Sequence, residues 1–110
     1  PDREGHWKGT TSQDTSAVEF EVVENCMVHS FKIEIPSAVP GTICVFSLKT
    51  DLPIENDGFS FFEPGLNGLE ITGEFSEERA AFGSYHAGPL LGCPIPLQSP
   101  GEGTWAAQRD

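Results

Sequence analysis

The residues of this 110-residue chain that could do chemistry are its cysteines, its histidines and the carboxylates of one acidic loop. Cys26, Cys44 and Cys93 form neither a Cys-x-x-Cys pair nor a zinc-type spacing. Their odd number indicates one disulfide and one remaining thiol. Cys26 and His29 lie three positions apart, and in a strand such positions point to opposite faces, so the two side chains are not expected to cooperate as nucleophile and base.

The acidic loop is the strongest candidate for a metal site. Asp51, Glu55 and Asp57 supply hard oxygen ligands of the kind that calcium prefers, but their spacing does not match an EF-hand. Acidic residues in a turn are ordinarily there for turn formation and solubility. The three histidines are scattered without a His-x-x-x-His pair, so no transition-metal site is predicted.

Motifs of catalysis and cofactor binding are absent from the sequence. It contains no Gly-x-Ser-x-Gly, no P-loop and no dinucleotide-binding glycine pattern. We therefore expect a non-catalytic protein that needs no cofactor. Tyr85, Phe62 and His86 could form an exposed aromatic platform for a sugar or a peptide, although a few aromatic residues more often fill a core.

Composition narrows the class of partner. The formal net charge of −11 repels phosphate backbones and anionic membrane surfaces, which argues against nucleic acid as a partner. No stretch approaches the roughly 20 apolar residues of a membrane span. The 12 glycines and 9 prolines break the chain at short intervals, so long helices are not expected. At this length we expect one domain, residues 1–110.

Alternation of apolar and polar residues is the main structural signal, and it predicts strands. Turn signals at Asp57-Gly58 and Asn67-Gly68 separate some of the alternating runs. Eight strands are predicted, at about 7–12, 18–22, 31–35, 42–49, 59–62, 69–75, 81–86 and 104–109. The run 42–49 is apolar on both faces at its start, which predicts a central strand. Together these segments predict an all-β antiparallel sandwich or flattened barrel.

Two tryptophans near the chain ends indicate how the sheet closes. Trp7 and Trp105 are each set off by glycines, which predicts that the first and last strands lie side by side. Arg109 could lie over Trp7 as a structural cation–π contact. Gly73 and Gly83 interrupt predicted strands, and such glycines usually mark a bulge or a place where a bulky ring crosses the backbone.

Several short motifs follow one another along nearly the whole chain: Gly5-x-Trp7-x-Gly9-Thr10-Thr11-Ser12-Gln13, Ile71-Thr72-Gly73-x-Phe75-Ser76 and Gly103-Thr104-Trp105-x-Ala107-x-Arg109. Their order and spacing resemble the secreted all-β modules of bacterial surface and extracellular proteins. The resemblance implies an extracellular β-sandwich or flattened barrel without established chemistry, and a disulfide between Cys44 and Cys93. Cys26 lies outside the pattern and is expected to be a free or intermolecular thiol.

These observations predict an extracellular, non-catalytic module for adhesion, surface presentation or self-assembly. Its expected partners are a protein or a carbohydrate at a cell surface, or copies of itself. The Gly5-x-Trp7 start and the aromatic-rich last strand are also similar to avidin-like and lipocalin-like barrels, which would imply a closed barrel holding a small apolar ligand. The interior distinguishes these alternatives, because only the barrel needs an open cavity lined by Phe20, Phe31, Phe46 and Phe61.

Overall fold

Alternating side chains build one antiparallel sheet in the computed structural model, which describes residues 3–77 and 79–110. Its strands are β1 (Gly5–Thr11), β2 (Ala17–Val23), β3 (Met27–Pro36), β4 (Ile43–Ser47), β5 (Leu52–Pro53), β6 (Gly58–Glu63), β7 (Leu69–Glu77), β8 (Ala80–Ala87) and β9 (Glu102–Arg109). The strand order is β4-β3-β2-β1-β9-β8-β7-β6, with β5 beside β3. The all-β prediction is confirmed. No helix in the described residues is long and apolar enough to cross a membrane.

The first and last strands lie side by side, as the two tryptophans predicted. In the register of β1 and β9, Trp7 is opposite Arg109 and Thr11 is opposite Trp105. The sheet curls into a half-barrel, so that the half formed by β1–β4 faces the half formed by β6–β9 across a shared core.

Six aromatic rings that contact one another lie between the two halves, in the same core as the buried ring of Tyr85. Phe20 stacks on Phe31 with ring centroids 5.6 Å apart, and the edge of Trp105 meets Phe20 at 5.8 Å. Edge-to-face and offset pairs of this kind each contribute about 0.5–1.5 kcal/mol beyond the area that they bury. The rings are Trp7, Phe20, Phe31, Phe59, Phe75 and Trp105. Since they come from both halves, their packing holds the curl of the sheet.

The two strand glycines make room for the indole of Trp105. A methyl group built on Gly73 would lie 2.8 Å from this ring, and one built on Gly83 would lie 2.7 Å from it. The indole N–H donates to the carbonyl oxygen of Thr72 at 3.1 Å, which fixes the ring across the backbone. Of the two alternatives that the sequence left open at these glycines, a bulge or a bulky ring, the structure shows the ring.

The prediction that residues 42–49 form a central strand is wrong, because β4 is an edge strand. Its inward residue Cys44 is buried and Phe46 packs against the core. Its outward residues Ile43 and Val45 are 47% and 50% exposed. The strand is therefore apolar on both faces although only one face contacts the core.

A disulfide joins Cys44 to Cys93, with Cα atoms 5.5 Å apart, as the resemblance implied. It attaches β4 to the proline-rich segment 88–101, which contains no regular strand. That segment is also held by the backbone N–H of Ala38, which donates to the carbonyl of Pro96 at 2.8 Å. A disulfide of this kind fits an oxidising environment.

Candidate functional site

The outer surface of β6–β9 carries four hydroxyl side chains in one row. Ser60 is opposite Thr72, Thr72 is opposite Ser84, and Ser84 is opposite Thr104. Neighbouring strands are about 4.8 Å apart, so the row extends across roughly 14 Å of the sheet. The Thr72 and Ser84 hydroxyls share a hydrogen bond of 2.8 Å. We call these four residues the hydroxyl row.

The hydroxyl row lines a groove of about 700 Å³, which we call the outer groove. Phe82 forms part of its wall and is 47% exposed. Glu74, which is directly opposite Phe82 in the register of β7 and β8, lines the same groove. Its volume lies within the range of small-molecule and cofactor sites, roughly 300–1,000 Å³. The outer groove therefore combines an aromatic surface, hydroxyls and a carboxylate on one exposed face.

The turn between β5 and β6 supplies the end of the groove. Asn56 and Asp57 have φ angles of 52° and 60°, the conformation of a two-residue hairpin turn. Glu55 and Gly58 exchange both backbone hydrogen bonds, each 2.9 Å long, which closes the turn. Glu55 and Asn56 therefore stand beside Ser60 and line the groove.

The outer groove carries negative charge. Glu55 and Glu74 line it, and neither carboxylate forms an ion pair within residues 3–77 and 79–110. The hydroxyls of Thr72 and Ser84 bond to each other rather than to a histidine, and an unactivated hydroxyl is a weak nucleophile. The geometry suits hydrogen bonding to a neutral or cationic ligand.

The outer surface of β1–β3 is organised differently. Lys8 is opposite Glu19, and Glu19 is opposite Lys32, so cations and anions alternate across the strands. Glu19 accepts from Lys32 at 2.8 Å and lies 3.0 Å from the His6 ring nitrogen Nε2. The hydrogen bond from Lys32 is the main cause that lowers the pKa of Glu19, and the same contact raises the pKa of Lys32. We call Lys8, Glu19, Lys32 and His6 the charged face.

The three carboxylates of the calcium hypothesis are not brought together. Asp51 lies 2.7 Å from His29 Nδ1, and Asp57 accepts from Arg3 at 2.8 Å. Glu55 instead lines the outer groove. In the part of the chain that the structure describes, no group of three His, Cys, Asp or Glu side chains is placed to hold a metal ion. The hydrogen bond to Asp51 raises the pKa of His29.

Tyr85 does not belong to an exposed platform but fills the core, which is the alternative that the sequence favoured. Its side chain is buried, and its hydroxyl donates to Gln13 Oε1 at 2.6 Å. Burial is the main cause that raises the pKa of Tyr85. Phe62 and His86 are exposed and lie on the outer face beside the hydroxyl row, with Glu70 between them in the register.

Sequence reasoning missed Phe82, the exposed aromatic residue that lines the groove. The signal was present, because Phe82 lies between Ala81, which faces the core, and Gly83, whose backbone lies against the indole of Trp105. An aromatic residue between two such positions must point outward. Tyr85 lies two residues after Gly83 in β8, so its side chain points to the same inward face.

Arg109 and Cys26 are the remaining residues that the sequence singled out. Arg109 lies opposite Trp7 in the register and donates to the carbonyl oxygen of Glu4 at 3.2 Å. Another cation, the Arg3 guanidinium, lies over the Phe75 ring at 5.0 Å. Cys26 is a free, half-buried thiol in the turn between β2 and β3.

Comparison with protein-family models, curated proteins and solved structures found no match for this chain.

Proposed function

We propose that this chain is an extracellular, non-catalytic adhesion module that binds a neutral carbohydrate chain in the outer groove. The observation that carries the proposal is the hydroxyl row beside the exposed ring of Phe82. The six core rings lie on the other face of the same sheet, where they are buried. Phe82 therefore contributes little to the core and is available to a ligand.

Carbohydrate matches the chemistry of this surface. A sugar ring presents an apolar C–H face, which packs on an aromatic ring, and a rim of hydroxyls. Serine and threonine hydroxyls both donate and accept hydrogen bonds, so they can pair with a sugar hydroxyl in either direction. Asn56 and Glu74 add an amide and a carboxylate at the edges of the groove. The length of the hydroxyl row, about 14 Å, accommodates several sugar units.

The negative charge of the outer groove restricts the class of carbohydrate that can bind. Glu55 and Glu74 face the groove and the whole chain has a net charge of −11. A polyuronate or a sulfated polysaccharide would bring like charge to this surface. Like-charge repulsion therefore disfavours anionic chains, and a neutral chain is the ligand that we propose.

The interior favours a binding module over a barrel that encloses a small apolar ligand. Phe20 and Phe31 are fully buried and stacked on each other, and Phe46 and Phe61 pack against the same core. Rings occupy the space in which an enclosed ligand would have to bind. The disulfide and the resemblance to secreted modules support an extracellular location.

The test is binding to neutral oligosaccharides. Cellohexaose, xylohexaose and N-acetylchitohexaose would be titrated by calorimetry into the wild type and into Phe82→Ala, with Phe62→Ala as the matched control on the same outer face. We expect at least one sugar to bind, Phe82→Ala to weaken binding about tenfold, and Phe62→Ala to retain it. Absence of binding to all three sugars, or equal loss in both variants, would contradict the proposal.

A further inference from the structure

The outer groove runs across the strands rather than along them. Each of β6, β7, β8 and β9 contributes residues to its lining. Along any one strand the lining covers at most three consecutive residues, such as Thr72 to Glu74, which span about 7 Å. Across the strands, the hydroxyl row from Ser60 to Thr104 spans about 14 Å. A ligand that fills the groove therefore crosses four neighbouring strands.

The two middle strands each offer two groups to such a ligand. Thr72 and Glu74 are two residues apart in β7, and Phe82 and Ser84 are two residues apart in β8. Side chains two residues apart in a strand lie on the same face, about 7 Å from each other, so one sugar ring with its hydroxyls can contact both. β7 therefore offers a hydroxyl and a carboxylate to one sugar unit, and β8 offers a hydroxyl and an aromatic ring to the next.

The two outer strands offer fewer groups. β9 contributes Thr104 to the lining, and Ala106, two residues further along the same face, has a short side chain. In β6 the residue opposite Glu74 is Gly58, which has no side chain, and Asn56 of the turn lines the groove beyond it. The groove therefore has four positions, one on each strand, with the most contacts on the two in the middle.

We propose that the outer groove binds an extended, β-linked chain that lies across the strands with one sugar unit on each. This inference rests on the carbohydrate binding proposed above and specifies the shape of the ligand. Where equatorial bonds at opposite ends of each ring join the units, the chain is nearly straight. Each unit then advances it by about 4.8 Å, the spacing of neighbouring strands. Successive sugar units therefore meet the hydroxyls of successive strands.

The same spacing disfavours an α-linked chain. An axial linkage bends the chain at every unit and winds it into a coil, so successive rings turn away from a straight row of contacts. One or two units of such a chain can contact the hydroxyl row at a time. The groove should therefore discriminate between chains of the same length by the geometry of their linkages.

Calorimetry with chains of different length and linkage tests the inference. The di-, tri-, tetra- and hexasaccharide of the best-binding β-linked sugar would be titrated into the wild type. We expect the affinity to rise about tenfold or more up to the tetrasaccharide, and to change less than about twofold beyond it, because the four positions are then filled. Maltohexaose, an α-linked chain, should bind about tenfold more weakly than the β-linked hexasaccharide.

Two variants locate the ligand on the sheet. The Ser60→Ala, Thr104→Val double variant removes the exposed hydroxyls at both ends of the row, and circular dichroism should show an unchanged fold. It should weaken tetrasaccharide binding about tenfold and change disaccharide binding less than about twofold. His86→Ala is the matched control. His86 is exposed two residues beyond Ser84 in β8 but outside the groove, so only a ligand lying along the strand would reach it.

The outcomes separate this inference from the proposed function. Suppose that the β-linked hexasaccharide binds. An affinity that stops rising at the disaccharide, equal binding of maltohexaose, or loss of binding in His86→Ala but not in the double variant would then overturn the crossed arrangement and leave carbohydrate binding in place. If no β-linked hexasaccharide binds, both the proposed function and this inference are overturned.

Discussion

The outer faces of the two halves of the sheet share the same backbone pairing but carry opposite chemistry. On the charged face, Lys8, Glu19 and Lys32 alternate in sign and the carboxylate of Glu19 is bound on both oxygens. In the outer groove, the hydroxyl row lies beside the exposed ring of Phe82. The carboxylates of Glu55 and Glu74 have no cationic partner in the described part of the chain. The charged side chains of one face pair with each other, whereas the carboxylates of the other face remain available to a ligand.

The inner faces of the two halves do not differ in this way. Phe20 and Phe31 come from one half, Phe59 and Trp105 come from the other, and all four pack together. The core therefore constrains both halves alike. The difference between the outer faces is not required by folding, which is why we propose the outer groove as the binding surface.

The largest expected effect tests the shared core. Replacing Trp105 with alanine should lower the free energy of unfolding by about 3–5 kcal/mol, because it leaves a cavity against both glycines and removes contacts to both halves. Urea denaturation followed by circular dichroism would measure this. A loss below about 1 kcal/mol would show that the core does not join the two halves as described.

Loss of the disulfide should have the next largest effect. The Cys44→Ser, Cys93→Ser double variant should unfold with about 2–4 kcal/mol less stability, because the bond closes a long loop. Carbohydrate binding should be retained in the folded variant, since β4 and the proline-rich segment lie outside the groove. Cys26→Ser is the matched control and should change neither property.

Removing hydroxyls from the row should separate binding from stability. The Thr72→Val, Ser84→Ala double variant loses one exposed hydrogen bond, so its free energy of unfolding should change by less than about 1 kcal/mol. Oligosaccharide affinity should fall about tenfold, which corresponds to about 1.4 kcal/mol. Calorimetry and urea denaturation of the same preparation would compare the two changes. Unchanged affinity would remove the hydroxyl row from the site.

A substitution on the charged face should lower stability slightly and leave oligosaccharide binding unchanged. Glu19→Gln breaks a partly exposed ion-pair network, and such pairs typically contribute about 0–1 kcal/mol. The destabilisation should shrink as salt is added. Oligosaccharide affinity should stay at the wild-type value. Loss of binding in this variant would erase the functional distinction between the two faces.

The smallest expected effect is a pH dependence at His29. Contact with Asp51 raises the pKa of the folded histidine above its ordinary value of 6.5, so folding favours its protonated form. This contribution is fully present below pH 6.5 and is lost as the pH rises through the raised pKa. The melting temperature should therefore fall slightly across that interval, and Asp51→Asn should remove the dependence. An identical pH profile in both proteins would contradict the assignment.

Much of the fold could be predicted from local pattern. Alternation located strands such as β2 and β7 to within a few residues, and the placement of Trp7 and Trp105 indicated that β1 and β9 are neighbours. The position of β4 could not be predicted in this way. Strand order depends on contacts that are remote in sequence, and an edge strand with apolar residues on both faces has the same local pattern as a central one.

The candidate site was harder to predict than the fold, because it arises from register. Ser60, Thr72, Ser84 and Thr104 are separated by turns and by a proline-rich segment, and a shift of one residue in any pairing would move a hydroxyl to the core face. Each serine or threonine alone is an ordinary surface residue. The position of Phe82 in β8, between two inward-facing residues, was the one local feature of the sequence that indicated the groove.

The most direct test of the central claim, that the outer groove is the binding surface, is a titration followed by two-dimensional ¹H–¹⁵N NMR. The wild-type chain would be titrated with the best-binding of the three neutral hexasaccharides. We expect amide shifts at Ser60, Thr72, Phe82, Ser84 and Thr104, with Lys8, Glu19 and Lys32 unmoved. Shifts confined to the charged face, or no shifts with any of the three sugars, would contradict the account.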